Sequence, residues 1–209
     1  QIKTKFLKGE SMNIKKCTIS ISVFIMIGVA GIAVSQEAKP FAPNVDLKTG
    51  AISVPENYTK WATLGTWAHA KTEGEPGSKE YHVVYTQPET IEYHQKNGRY
   101  PDGAVLVKEL LNTETMMMTT GSAVSHATSI KGWFVLVRDT KGRYKNSKLW
   151  GDGWGWSLFN APDSKKTVST DYQENCLACH LPARDLAGPD VHEEDKWIYT
   201  LGYPVLQKK

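Results

Sequence analysis

The feature that most constrains this chain is the segment Cys176-Leu177-Ala178-Cys179-His180 near its carboxyl end. Its spacing is CxxCH, in which two thiols can bond to the two vinyl groups of one haem and the adjacent histidine can ligate the iron. A redox-active cysteine pair, half of a zinc site and a structural disulfide are the alternative interpretations. A zinc site needs further ligands at fixed spacing, and the sequence has no second cysteine pair. We therefore predict one covalent haem c per chain, held by Cys176 and Cys179, with His180 as the axial iron ligand.

The first third of the sequence contains a predicted export signal. In residues 12–35, Lys15 and Lys16 precede an apolar run from Thr18 to Val34, which is typical of a secretory signal peptide. An uncleaved membrane anchor is the alternative, although the run is near the lower length limit for spanning a bilayer. Residues 1–11 are predicted to be an upstream, non-native extension, 36–53 an extended lead-in, and 54–209 the haem domain. We expect a periplasmic or otherwise exported protein with no membrane span after cleavage.

Charge and cysteine content change when the leader is set aside. The 209 residues carry 25 Lys and Arg against 22 Asp and Glu, a formal charge of +3. Five basic residues and one acidic residue lie in residues 1–35, so the remainder carries a charge of −1. The third cysteine, Cys17, also lies there. The slightly acidic remainder gives no reason to expect a nucleic-acid partner.

The pattern of apolar and turn-forming residues predicts an α+β fold, mainly an antiparallel sheet with flanking helices. Pro55 opens a short helix toward Trp61, and a second helix follows Pro88 and ends at Asn97-Gly98. A third helix after Thr170 carries the cysteines. Strands are predicted at residues 63–70, 81–86, 104–111, 133–137 and 154–160. Residues 116–130 fit either a strand or a loop, and 36–49 suggest a weakly ordered segment.

Lys108 stands out in the apolar run from Ala104 to Leu111. Side chains alternate along a strand, so Lys108 and Glu109 would lie on opposite faces, each among apolar neighbours. At least one charge should therefore point inward, where a lysine is costly unless it is paired or chemically used. The alternative is an edge-strand lysine whose amine reaches solvent.

A sixth iron ligand is less constrained than the fifth. Methionine and histidine are the usual choices in electron-transfer cytochromes. Consecutive methionines in a β-rich region more often pack than ligate, and a lone strand histidine is more often structural. A plain electron-transfer cytochrome is nevertheless one functional alternative. The available side chains are Met116, Met117, Met118, His69, His82, His94, His126 and His192.

Three segments together resemble the cytochrome P460 family: PDGAVLVKEL at 101–110, CLACH at 176–180 and YPVL at 203–206. The resemblance extends from about Val54 to Leu206. It implies an antiparallel sheet with flanking helices, one haem, usually a homodimer, and periplasmic oxidation of hydroxylamine toward nitrous or nitric oxide. It also implies that Lys108 is bonded to the porphyrin and that His180 leaves the distal iron position open. Electrons would then pass to a soluble redox partner such as another cytochrome.

Two distal positions depart from that family's pattern. Active members have a carboxylate on a distal strand, where this chain has Phe134, and some have an arginine that aligns with His82. Phe134 cannot accept a proton, whereas His82 could do so near neutral pH. With an apolar residue at this position, the distal pocket resembles that of the cytochrome c′-beta relatives, which bind nitric oxide or carbon monoxide without turnover. We therefore expect either hydroxylamine oxidation or gas binding.

Overall fold

The computed structural model describes residues 41–207. Its strands and α-helices, in chain order, are β1 (Ala62–Ala70), β2 (Ser78–Thr86), α1 (Pro88–Asn97), β3 (Val105–Met118), β4 (Gly121–Arg138), β5 (Trp150–Gly151), β6 (Trp154–Asn160) and α2 (Ala178–Leu186). Short 3-10 helices lie at Tyr58–Lys60, Glu193–Trp197, Thr200–Gly202 and Pro204–Leu206, and a π-helical turn at Gln173–Leu177 precedes α2. The six strands form one antiparallel sheet in the order β1-β2-β3-β4-β6-β5. The predicted α+β class is confirmed.

Both faces of the sheet are covered, which explains why the centre of β3 is almost continuously apolar. Val105 and Val107 face one core, which also contains Tyr58 and Trp133. The intervening Leu106 faces a second core, built from the helical carboxyl-terminal segment and the aromatic residues of β6. Because β3 lies between β2 and β4, the interpretation of Lys108 as an edge-strand residue is wrong.

The short helices and turns match the sequence to different degrees. Helix α1 begins at Pro88, and Gly98 ends it in the left-handed conformation at φ 67°, as the Pro and Gly signals predict. The predicted helix from Pro55 toward Trp61 is one 3-10 turn at Tyr58–Lys60. Strand β2 begins at Ser78, three residues before the strand predicted at 81–86. Residues 116–130 form the end of a long β3–β4 hairpin.

The lead-in predicted at 36–53 differs from the structure from Phe41 onward. Val45 and Ile52 form an antiparallel bridge, and both are buried in the first core. Asn44 Nδ2 donates to the Ser53 carbonyl at 2.8 Å. This segment is therefore part of the packed domain. The predicted extension at 1–11 and signal peptide at 12–35 lie outside the described residues.

A β-bulge interrupts the β3–β4 ladder next to the second core. Leu110 pairs with Gly132, but Leu111 pairs with Ile130, so Lys131 is an extra residue on β4. A bulge bends its strand and can re-aim a side chain toward a neighbouring site. Among residues 41–207, no helix is long and apolar enough to cross a membrane.

Candidate functional site

The CxxCH segment lies at the junction between the π-helical turn and α2, which brings its three reactive side chains to one cavity. Cys176 is the last but one residue of the turn, and Cys179 and His180 lie in the first turn of α2. Both cysteines are free thiols, Cys176 buried and Cys179 exposed. Burial raises the pKa of the Cys176 thiol to about 11, so it stays protonated at neutral pH. π-Helical turns of this kind occur frequently at functional sites.

One ring nitrogen of His180 is hydrogen-bonded to the backbone, and the other keeps its lone pair available. Its Nδ1 lies 2.7 Å from the Trp197 carbonyl, and because a carbonyl only accepts, Nδ1 carries the proton. The Trp156 ring packs against the imidazole edge-on, with centroids 5.0 Å apart. Burial lowers the pKa of His180 to about 4, so the ring is neutral. Its Nε2 lone pair is therefore available to a metal, in the arrangement that protein ligands use.

A buried ion-pair cluster anchors the segment that supplies the Trp197 carbonyl. Arg138, whose side chain is 2% exposed, donates from Nη2 to Glu194 Oε2 at 2.6 Å and from Nη1 to the Gly153 carbonyl at 2.7 Å. Its Nε lies 3.3 Å from Asp195 Oδ1. Because Glu194, Asp195 and Trp197 share one 3-10 helix, Arg138 indirectly fixes the hydrogen-bond partner of His180.

Lys108 lines the same cavity as the CxxCH segment and is directed inward. Its Nζ is 4.4 Å from the centre of the Phe134 ring, its cross-strand partner on β4. Burial lowers the pKa of Lys108, and the nearby Glu80 carboxylate opposes that shift only in part. The shift favours the neutral amine, which is the nucleophilic form.

The other charge of this pair, Glu109, is buried on the opposite face. Its carboxylate interacts with the hydroxyls of Tyr58 and Tyr85, and burial raises its pKa. Both charges of the run therefore point into cores, each with its own partners.

Polar side chains from β1 and β2 complete the distal part of the cavity. The His69 and His82 rings have centroids 4.0 Å apart. His82 Nε2 lies 2.6 Å from Glu80 Oε1, and Glu80 Oε2 accepts from Lys131 Nζ at 2.6 Å. Burial lowers the pKa of His82, so this ring is neutral near pH 7 and can accept a proton.

The side chains around this cavity fit a haem. Its volume is about 420 Å³, within the range of about 300–1,000 Å³ typical of small-molecule and cofactor pockets. Two thiols, a neutral imidazole and an amine line the same cavity, and these are the groups that covalent attachment and axial ligation would use. The remaining walls are mostly apolar, with Trp67, Val84, Leu106, Leu136, Trp156, Ile198 and Tyr203 among them.

All six predicted site residues line this one cavity: His82, Lys108, Phe134, Cys176, Cys179 and His180. Of the proposed sixth ligands, His69 and His82 also line it. The three methionines lie instead at the exposed end of the β3–β4 hairpin. Neither His94, His126 nor His192 is part of the cavity wall.

Sequence reasoning missed Glu80, Lys131 and the role of His69. Glu80 and His82 are two positions apart on a strand and so share a face, which is a signal that the sequence contains. The register of β1 on β2, which brings His69 beside them, and the bulge at Lys131 are tertiary features that a single sequence does not contain.

Comparison with known proteins identifies a family model that matches this chain. The family model described as Cytochrome P460 matches residues 55–200, which include every cavity residue named above except Tyr203. No curated protein matches the chain.

Proposed function

We propose that this chain, which belongs to the cytochrome P460 family and is therefore a haem cytochrome, is an exported mono-haem c-type enzyme. Its proposed reaction is the oxidation of hydroxylamine or a related nitrogen oxide. One observation carries the proposal. The cavity combines groups suited to attaching a haem with a neutral histidine, His82, that can accept protons from a small ligand.

Each attachment residue has a distinct role in this proposal. Cys176 and Cys179 form the thioethers, and His180 binds the iron through Nε2 while Trp197 holds its other nitrogen. Lys108 attaches to the porphyrin through its amine, which burial biases toward the neutral form. When bound, the haem supplies an iron that accepts electrons and has one position open to a small ligand.

The distal residues handle protons and water. Oxidation of hydroxylamine to nitric oxide releases three protons and three electrons. His82 takes up the protons in turn and returns them to solvent. The haem, when bound, would supply the electron acceptor, and a soluble redox partner such as another cytochrome would receive the electrons. The Phe134 ring, packed on Lys108, covers the cavity with an apolar surface that excludes water.

Replacing His82 with Gln is expected to lower hydroxylamine-dependent reduction of an acceptor dye by about 100-fold, because a positioned base contributes about 10²–10⁴-fold. The measurement is steady-state dye reduction by purified, fully haem-loaded protein. His126→Gln is the matched control, because His126 lies on the β3–β4 hairpin outside the cavity. A fully loaded wild-type protein that reduces no dye with hydroxylamine would exclude the proposed activity.

Phe134 favours a second candidate function, nitric oxide binding without turnover in the manner of the cytochrome c′-beta relatives. No carboxylate is part of the described cavity wall, and the ring of Phe134 presents an apolar edge there. Stable nitric oxide binding together with no hydroxylamine-dependent dye reduction would favour this function over the enzyme.

Export to the periplasm or beyond is supported by the leader pattern at 12–35 and by the haem motif, because c-type haem is attached outside the cytoplasm. The proposed partners are the nitrogenous ligand and the redox protein, with no nucleic acid and no membrane span after cleavage.

We also propose a homodimer, for which the β3–β4 hairpin offers a surface. Met117 is 80% exposed at its end, with Met116, Met118 and Ile130 also exposed. Within residues 41–207, β6 pairs with β4 only from Gly132 onward, so the same edge of Gly121–Ile130 has no strand partner. An unpaired edge beside exposed apolar side chains is suited to a second copy of the same surface.

The double variant Met117→Lys/Ile130→Lys is expected to sediment as a monomer at concentrations where the wild type is a dimer, because like charges would then meet across the interface. Sedimentation equilibrium gives the two masses. Leu47→Lys introduces a lysine at another exposed apolar position and should leave the dimer intact. A monomeric wild type would contradict the proposal.

A further inference from the structure

The Glu80 carboxylate contacts two side chains, His82 on its own strand β2 and Lys131 on β4. Its Oε1 lies 2.6 Å from His82 Nε2 and its Oε2 lies 2.6 Å from Lys131 Nζ. The Glu80 and His82 side chains are each 13% exposed, so their contact is shielded from water, whereas the Lys131 side chain is 53% exposed. Lys131 reaches it from β4, across β3, because the bulge makes Lys131 an extra residue in that ladder.

We propose that Glu80 is a positioning residue that selects the tautomer of His82 and so makes its Nδ1 the proton acceptor of the reaction. A carboxylate only accepts hydrogen bonds, so the neutral ring must carry its proton on Nε2. The lone pair is then on Nδ1, the nitrogen left to act on a ligand in the cavity that His82 lines. This inference rests on the proposed hydroxylamine oxidation.

The charges around His82 are consistent with an ionised Glu80. Burial alone would raise the pKa of Glu80, but the hydrogen bonds with Lys131 and His82 outweigh it and the net shift is downward. For His82, burial lowers the pKa, as do the nearby Lys108 and His69, while Glu80 acts in the opposite direction. Near pH 7 the pair is therefore a carboxylate and a neutral imidazole.

Proton transfer in this arrangement leaves the Glu80 carboxylate unprotonated. The N–H or O–H bond of the ligand breaks, the proton bonds to Nδ1, and the bonding electron pair stays on the ligand. The haem, when bound, and the redox partner would supply the electron acceptor. The imidazolium that forms is paired with the Glu80 carboxylate, which lowers the energy of the step. The ring then returns the Nδ1 proton to water.

Lys131 makes the substitution Glu80→Gln particularly informative. A lysine only donates hydrogen bonds, so Lys131 should donate to the amide oxygen of Gln. The amide NH2 group of Gln would then face His82 Nε2. Nε2 then becomes the acceptor and Nδ1 carries the proton, which is the wrong tautomer for accepting another. Glu80→Ala removes the contact without imposing either tautomer.

We expect Glu80→Gln to lower kcat for hydroxylamine oxidation by about 100-fold and Glu80→Ala by about tenfold. A merely structural Glu80 would give the reverse order, because Gln retains more of the packing and hydrogen bonding. Glu80→Gln/Lys131→Met should recover part of the loss, since the lysine no longer orients the amide. Glu114→Gln is the matched control, because Glu114 is an exposed β3 residue that faces His126 across the hairpin.

A second measurement does not depend on turnover. Nitrogen-15 NMR of the reduced, carbon monoxide-bound holoprotein distinguishes a protonated Nε2 from a protonated Nδ1, with His82→Gln identifying the resonances. We expect the proton on Nε2 in the wild type and on Nδ1 in Glu80→Gln. The same tautomer in both proteins would overturn the inference, whereas a tautomer change in a protein that does not oxidise hydroxylamine would reject the proposed function alone.

Discussion

Holoprotein with the double substitution Cys176→Ala/Cys179→Ala is expected to lose all thioether-bound haem. Both thiols line the cavity beside His180, and within residues 41–207 the chain has no other cysteine that could replace them. Acid–acetone extraction of the denatured protein and intact mass measure the loss. Cys17→Ala is the control, because Cys17 lies in the predicted signal peptide and its replacement should leave haem attachment unchanged. Thioether-bound haem in the double variant would contradict the proposed attachment.

The same experiment tests the proposed Lys108 bond. Haem that resists extraction from the double variant, after reconstitution with haemin, must be attached through another side chain. Adding Lys108→Met should release it, since Met retains the length of the side chain but has no amine. The single variant Lys108→Met should keep its thioethers and change the absorption spectrum of the haem. An unchanged spectrum would mean that Lys108 only packs against Phe134.

Replacing Arg138 with Met is expected to lower the free energy of unfolding by about 3–5 kcal/mol. The guanidinium is buried and contacts Glu194, Asp195 and the Gly153 carbonyl, so its removal leaves a buried carboxylate without a cation. Denaturant titration of the holoprotein measures the change. Lys165→Met is the control: its pair with Glu56 is exposed on both sides and should contribute less than about 1 kcal/mol.

The Arg138 substitution is also expected to change the reduction potential of the haem. Asp195 and Trp197 share a 3-10 helix, and the Trp197 carbonyl accepts the hydrogen bond from His180. Loosening this helix should weaken that bond and shift the reduction potential of the haem. A loss of stability equal to that of Lys165→Met, with no change in potential, would show that the buried cluster is not an anchor for the axial ligand.

The sequence predicts most of the sheet because its signals there are local. Pro88 and Gly98 bound α1, and the β-rich runs that form β2, the centre of β3 and β6 have one or two buried faces. Residues 116–130 could not be assigned, because this part of the hairpin extends beyond the cores and its exposed faces carry no apolar periodicity.

The residues of the site also fall into two groups, those that a local sequence signal indicates and those that only the tertiary structure brings together. Cys176, Cys179 and His180 form a contiguous motif, and Lys108 is conspicuous as a charge within an apolar strand. Glu80, by contrast, gains its role only through the register of neighbouring strands and through a lysine that is 51 positions away in the chain. Such contacts depend on tertiary structure, which a pattern along one sequence does not encode.

The β-bulge at Lys131 also bears on how the length of this protein can vary. On the side of the bulge nearer the cavity, Lys108 and Phe134 are paired in a fixed register, and a one-residue shift of β4 would turn Phe134 away from the cavity. On the other side of the bulge, no residue of the hairpin end lines the cavity. Insertions or deletions of matched residue pairs there would leave the phase of the strands at the haem pocket unchanged. We therefore expect homologous chains to differ in hairpin length, and with it in the proposed dimer surface, without a change in the chemistry of the site.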